Sequence, residues 1–363
     1  MSLFRTKSIS SLQAEAAAEL GYKRTLGPIS LVSLGIGSVV GAGIFVQTGQ
    51  AAALYGGPAI AISFIVSGIA CLFAGLCYAE LASMIPVSGS AYTYTYGSLG
   101  EVLAWVVGWC LILEYLFSGA AVAVSWSGAS RDILAEFNLA LPRYLASAPL
   151  DVVNGQLVRT GALINFPAVF ISLLLTYILY IGIKESANFN NLMVIIKVGV
   201  LLALIGYGIN YFIGHREIVM ANWTPFIPPN SGDFGNFGWS GVFRGAGAIF
   251  FAYVGFDCVS AAAQETKNPQ RDLPIGLLGT LAAVSFLFIS VSLVLTGLVH
   301  YTKLNVDAPF IFALQQVQAP ALFRYLIEAA TLAGLTSVIL VSLLGQPRIF
   351  FAMAKDGLLP ATF

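Results

Sequence analysis

The hydrophobic pattern of this chain has the period of a bilayer crossing. Runs of mainly apolar residues recur at the length a membrane-spanning helix needs, about 20 residues. They fall at roughly 27–50, 58–85, 99–126, 162–183, 190–213, 240–263, 274–299 and 322–345, which predicts eight spans. Their length argues for helices, and none shows the ten-residue alternation of a barrel strand. Pro28, Pro58, Pro274 and Pro320 stand near span starts, where a missing N–H costs least. The long connections are 127–161, 214–239 and 300–321. The second carries "NWTPFIPPNSGDFGNFGW", rich in turn formers and interfacial aromatics.

Composition agrees with this pattern. Of 363 residues, 58% are hydrophobic and 9% charged, against about 25% charged in a soluble domain. Mean hydropathy is +0.86. The fold class is therefore all-α, a polytopic membrane protein embedded in the lipid bilayer. The formal net charge is zero, which gives no reason to expect nucleic acid or an anionic surface as partner. Cys71, Cys77, Cys110 and Cys258 all lie in apolar stretches without metal-ligand spacing, so they read as small buried hydrophobes. His215 and His300 sit at span ends beside tyrosines. No HExxH motif or nucleophile–base pair occurs within a span, so neither an enzyme, a metal site nor a cofactor is expected. A ring of repeated polar residues, which a channel filter would need, is also absent.

Residues 1–26 read as a polar, cytoplasmic lead-in rather than a signal peptide. With the N-terminus inside, the inner segments carry Arg5, Lys7, Lys23, Arg24, Lys184, Lys267, Arg271, Arg348 and Lys355. The outer segments carry Arg131, Arg143, Arg159, Arg216, Arg244, Lys303 and Arg324. The inner positives lie in short segments, which weigh more, so a cytoplasmic N-terminus is expected.

One span is weakened at its centre. "GSVVGAGIFVQTG", residues 37–49, places Gly37, Gly41 and Gly43 within seven positions. Taken alone, the first two form a GxxxG packing pattern. A second segment, "GAGAIFFAYVGFD" at 245–257, interrupts the sixth span in the same way. Paired interruptions point to the binding site of a secondary transporter. An unwound backbone is tolerated at membrane depth only where it lines a cavity. The N-terminus of one half-helix attracts a carboxylate, and the last carbonyls of another attract an ammonium. An α-amino acid carries both groups.

Ionisable groups inside spans are rare and usually functional. Glu80, Glu114, Asp257, Glu328 and Lys197 are such groups. Lys197 stands near the middle of the fifth span, where a lysine costs about 2.5–3.5 kcal/mol on insertion scales.

The motifs "LGIGSVVGAGIF" (34–45), "YAELASMIPVSGSAYTYTYGSLGE" (78–101), "GIKESANFNNLMVIIK" (182–197), "FRGAGAIFFAYVGFDCVSAAAQETKNPQRDLPIG" (243–276) and "GQPRIFFAMAKDGLLP" (345–360) occur in this order. In them the chain resembles the amino acid–polyamine–organocation superfamily, and within it the cationic amino acid transporter family. The resemblance implies an inverted five-helix-repeat transporter fold with spans 1 and 6 broken. The first repeat would occupy 27–213, a loop 214–239, and spans 6–8 of a second repeat 240–345. Residues 346–363 would form a cytoplasmic segment. Family members have twelve or more spans, so a chain truncated after its eighth, and a non-transporting fragment, is the alternative expectation.

The resemblance further implies secondary active transport of an L-amino acid by alternating access, at the plasma or inner membrane. Substrate would contact Ala42, Gly43, Ile44, Glu114, Phe251, Ala252 and Val254. The helix breaks would fall at Gly41, Gly43 and Gly255. Lys197 matches a family lysine that occupies the place of a sodium ion in sodium-coupled relatives. The proton would then be the coupling ion. Carbonyls of unwound span 1 and hydroxyls such as Thr336 and Ser337 would be its partners. The small apolar pocket residues favour a neutral amino acid, with Glu114 as counter-charge should a cationic one bind.

Overall fold

The computed structural model describes residues 6–8, 10, 11, 14, 24–87, 89–136, 139, 141–153, 156–306 and 308–360. Arg5 and Lys23 of the charge count lie outside them, as does most of the lead-in. Among the described residues six helical stretches are long and apolar enough to cross a membrane, and two shorter apolar helices, Pro28–Val39 and Phe166–Ile181, complete the order of the hydrophobic runs. Span 1 begins as the helix Pro28–Val39, with Pro28 at its first position. After a break it resumes through a wide π-helical turn, Gly43–Gln47, one α-turn, Thr48–Ala51, and a second π-turn, Ala52–Gly56. Span 2 is Ile60–Met84, span 3 Glu101–Glu136, span 4 Phe166–Ile181 and span 5 Ile183–Gly214. Span 6 is Gly238–Phe250, then a tight turn Phe251–Tyr253, a break, and the short helix Cys258–Ala261. Span 7 is Pro269–Leu298 and span 8 Ala321–Lys355.

Three ends differ from the hydrophobic runs. Span 3 continues to Glu136 because "SGASRDILAE" is polar but still a competent helix former. Span 7 starts at Pro269, a turn and a half before Pro274. Span 8 passes through Pro347 to Lys355, because Arg348, Ile349 and Met353 on its far side are buried and hold it against the bundle. The long connection 127–161 also contains a two-stranded antiparallel hairpin, β1 (Leu150–Val153) with β2 (Gln156–Arg159), in an otherwise helical fold.

Burial sorts the spans into inner and outer. In span 8, 67% of the apolar window is buried, and in span 6 61%, whereas spans 3 and 5 bury 33% and turn the rest outward. Phe73, Phe117, Leu173 and Ile195 are exposed on such outward faces, as lipid-facing side chains should be. Cys77 and Cys110 lie there too, so only Cys71 and Cys258 are the buried hydrophobes the sequence suggested; all four are free thiols.

Two kinds of contact hold the interior. Small residues let helices approach: Gly75 faces Leu281, Gly119 faces Ser342, and Gly345 faces Tyr115. Buried hydroxyls then join backbones across spans. Ser63 Oγ donates to Val242 O (2.8 Å) and Ser67 Oγ to Ala246 O (2.7 Å), fixing span 2 against span 6.

The bundle is tied at one end and open at the other. At the tied end, Thr25 N and Leu26 N both donate to Glu265 O (2.9 Å each), and Lys267 N donates to Leu26 O (2.9 Å). Arg348 donates to Glu265 Oε1 in a buried ion pair between spans 8 and 6. Asp356 accepts from Lys7 Nζ (2.6 Å) and from Tyr92 Oη (2.7 Å). At the opposite end, a cavity of about 1200 Å³ including its mouth opens beside the connections 127–161 and 300–321; Arg131, Ala308, Phe310 and Glu328 line it.

Candidate functional site

The site is built where spans 1 and 6 lose their helical hydrogen bonds. In span 1 the helix ends at Val39, and Val40 takes up an extended conformation (φ −79°, ψ 92°) before helical geometry returns at Ala42. In span 6, Val254 is extended (φ −57°, ψ 138°) and Gly255 has φ +106°, in the left-handed region that L side chains avoid. The glycines do more than weaken helices. A Cβ on Gly43 would fall 2.6 Å from Ala252 Cβ and 2.8 Å from Ala252 Cα. Gly255 in turn lies against Ser38. Each break is thus pressed against the other, and the packing and unwinding readings of these glycines hold together.

A cleft of about 500 Å³, counted with its opening, lies at this junction. Of the residues singled out from sequence, Ala42, Gly43, Glu114, Phe251, Ala252 and Val254 line it, together with Gly41 and Gly255 of the breaks. Ile44 does not: its side chain is fully buried and points into the core. Ala42 also lines the open cavity above, so the two spaces adjoin. The last carbonyls of a half-helix carry partial negative charge, and the first N–H groups of the next carry partial positive charge. The second half of span 1 and the first half of span 6 present these opposite ends to the same cleft.

Further residues of the cleft were not singled out from sequence, among them Tyr115, Ser118, Val122 and Ser342. Ser118 is one turn from Glu114 on the same face of span 3, a signal that was legible. Ser342 faces it from span 8, with the two hydroxyl oxygens 3.4 Å apart. Tyr115 Oη donates to Asp257 Oδ2 (3.2 Å), tying span 3 to the break in span 6. Glu114 lies within electrostatic reach of Asp257. The other candidates lie elsewhere: Glu80 is exposed on span 2, and Glu328 sits in the upper cavity, 3.8 Å from Arg324.

Lys197 is completely buried. Its ammonium donates to Gly37 O and Val40 O (2.9 Å each) and to Ser337 Oγ (2.7 Å), so all three N–H bonds are used. Ser337 Oγ is itself 2.8 Å from both Gly37 O and Gly334 O. Burying an unpaired ammonium would cost several kcal/mol; here the carbonyls freed by the break in span 1 receive it. Thr336, the other hydroxyl considered, instead accepts from Trp126 Nε1 (3.0 Å) and takes no part. Lys197 therefore joins span 5 to the break of span 1 and to span 8. Among the described residues no cluster of three or more His, Cys, Asp or Glu side chains suits a metal ion.

Comparison with known families decides the class. The model of the amino acid permease family matches residues 26–363. The chain belongs to the amino acid permease family. Its relatives include a methylthioribose transporter of Bacillus subtilis, 46% identical over all of this chain and 74% of that protein. The branched-chain amino acid permease BcaP of the same organism is 44% identical over 99% of this chain and 73% of its own length. A vacuolar cationic amino acid transporter of Arabidopsis thaliana is 36% identical and matched over 58% of its length. Among solved structures, MhsT in complex with L-phenylalanine superposes with a TM-score of 0.60 at 16% identity, over 93% of this chain and 76% of MhsT. That likeness shows the fold, a mainly helical bundle shared with MhsT, in which spans 1 and 6 of this chain are broken. As a permease, the chain is a transport protein rather than an enzyme.

Proposed function

We propose that this permease is a secondary active amino acid transporter that works by alternating access, driven by protons and independent of sodium. The observation that carries the reading is the Lys197 ammonium, held by the carbonyls of broken span 1 and by Ser337 of span 8. It stands where a bound monovalent cation would join the same three elements. The protonated amine has three donors for three acceptors. The neutral amine has two, so one acceptor loses its partner and the tie between spans 1, 5 and 8 loosens. The charge state of Lys197 thereby biases the balance between two conformations.

Substrate binds in the cleft at the two breaks, its carboxylate on the N–H groups after Gly41 and its ammonium on the carbonyls ending the first half of span 6. Ala42, Gly43, Glu114, Phe251, Ala252 and Val254 surround it. The substrate is a neutral or cationic L-amino acid. The apolar share of the wall suits a neutral side chain, in keeping with the branched-chain permease among the relatives; Glu114 suits a cationic one. Residues 27–213 form one five-helix repeat and 240–345 the start of the second. The protein lies in the plasma or inner membrane with its N-terminus in the cytoplasm. The tied end is then the cytoplasmic gate, closed, and the open cavity is the outward path.

The test is reconstitution into proteoliposomes. Labelled L-leucine and L-arginine are offered with an acidic exterior, and unlabelled L-amino acids and methylthioribose compete. Accumulation should require the pH gradient, ignore sodium and vanish in Lys197→Met, while substrate binding persists. Sodium-stimulated uptake, or competition by methylthioribose alone, would refute the reading.

A further inference from the structure

Lys197 is sealed on every side, so a proton that reaches or leaves it needs a route. Seven residues, or about 10 Å, nearer the tied end of span 5 lies Asn190. It is 2% exposed, and among the described residues its Oδ1 has no hydrogen-bond partner. Its Nδ2 donates to Ser33 O at 3.5 Å. A buried amide oxygen without a partner is costly, so it calls for an explanation. The oxygen presses on Gly37: a Cβ there would fall 2.5 Å from it. Gly37 is also the residue whose carbonyl receives the Lys197 ammonium.

Asn190 further lines a separate narrow cavity between spans 1, 5, 6 and 8. Ser30, Asn191, Glu265 and Arg348 share its wall, and it has room for a water molecule. The wall is otherwise leucine and valine, so its polar groups are few. The charged groups among them are Glu265 from span 6 and Arg348 from span 8, paired with each other. Asp272 stands at the near end of span 7, accepting from Asn268 N at 3.3 Å. The described helix of span 1, Pro28–Val39, brings no titratable side chain.

We propose that this cavity is the proton path between Lys197 and the tied end of the bundle, with Asn190 Oδ1 holding the water that relays the proton. The inference rests on the proton-coupling reading of Lys197. One ammonium N–H leaves its protein acceptor and turns to the water that Asn190 orients, and that N–H bond breaks as an O–H bond forms on the water. The water gives up another of its protons to the Glu265 carboxylate, where a new O–H bond forms, and is restored. The neutral amine remains. The Glu265–Arg348 pair closes the path at its foot, so the proton is released only when the ties of spans 6 and 8 part. Proton release and opening of this end are thereby linked.

The experiment follows proton movement and substrate exchange separately, in proteoliposomes of the intact protein. A trapped pH-sensitive dye reads substrate-driven proton entry, with L-leucine and L-arginine as probes. Counterflow of labelled substrate at equal pH reads the carrier cycle without net proton transfer. Asn190→Ala, which removes bulk and the acceptor, should slow proton entry at least fivefold and leave counterflow within twofold. Asn190→Ser, whose hydroxyl can again hold a water, should restore proton entry to within twofold of the unaltered protein. Asn190→Leu, which fills the cavity, should stop it. Proton entry in Asn190→Ala equal to that of the unaltered protein, with Lys197→Met inactive, would overturn the path and spare the coupling role. Proton entry that survives Lys197→Met would overturn both. Equal loss of proton entry and counterflow in the Ala and Ser variants would show a structural role and also overturn the path.

Discussion

Substitution of Gly43 separates a binding site from mere helix packing. A Cβ at this position would sit 2.6 Å from Ala252 Cβ and 2.8 Å from Ala252 Cα. Carbon atoms prefer about 3.5–4.0 Å, so the two broken spans must part by about 1 Å. One of the two opposing atoms is backbone, so no rotamer change relieves the clash. Overpacking of this kind costs about 1–3 kcal/mol, and the strain falls on the junction that forms the cleft. Expressed as affinity, that is a loss of about 5- to 150-fold in Kd for Gly43→Ala. Gly43→Val, with two further methyl groups, should abolish binding. Two controls bracket the effect. Gly41 faces Val338 Cγ2, a side-chain atom at 2.7 Å that can rotate away, so Gly41→Ala should lose less. Gly199 has nothing within 4 Å, so Gly199→Ala should bind as the unaltered protein does. The assay is equilibrium binding of the labelled amino acid in detergent, with thermal unfolding measured on the same samples. Unchanged affinity in Gly43→Ala, with only the melting temperature lowered, would refute the placement of substrate at this junction.

Three further outcomes are expected. Arg348→Met leaves Glu265 buried without its partner and should lower stability by about 3–5 kcal/mol in denaturant unfolding; a loss below about 1 kcal/mol would mean that water already reaches the pair. Gly255→Ala forces an L side chain into φ +106° against Ser38 and should cost about 1–2 kcal/mol, whereas Gly247→Ala in the same span, with open space around it, should be neutral or slightly stabilising. In intact cells, Asn230→Cys should react with a membrane-impermeant thiol reagent and Lys267→Cys should not; strong labelling at 267 would reverse the orientation.

Much of this protein was legible one residue at a time. Hydrophobic run length marked the apolar helices and their order, because each helix must satisfy its own backbone in lipid whatever its neighbours are. The break in span 6 was equally local at Gly255, whose φ of +106° an L side chain avoids, whereas span 1 breaks at Val40 and is helical again by Ala42, so Gly43 lies just beyond it. Lys197 was marked by its depth alone, because a charge there must be answered by something.

What answers it was not local. Gly37 and Val40 lie 160 and 157 residues from Lys197, and Ser337 lies 140 away on the other side. Of two adjacent hydroxyls, 336 and 337, the rotation of span 8 turned only the second toward the ammonium. The same rotation of span 1 turned Ile44 into the core while Ala42 and Gly43 face the cleft. Helix ends were also settled by packing: Pro347 would stop a helix in isolation, yet Arg348 reaches Glu265 only if span 8 continues. From sequence Arg348 counted only as one of the inner positive charges, and Asn190 was not singled out. Their burial became visible only when spans 1, 5, 6 and 8 met. Hydropathy reports how a segment meets the membrane; which face of it meets which neighbour is fixed by the rotation and register of the packed helices.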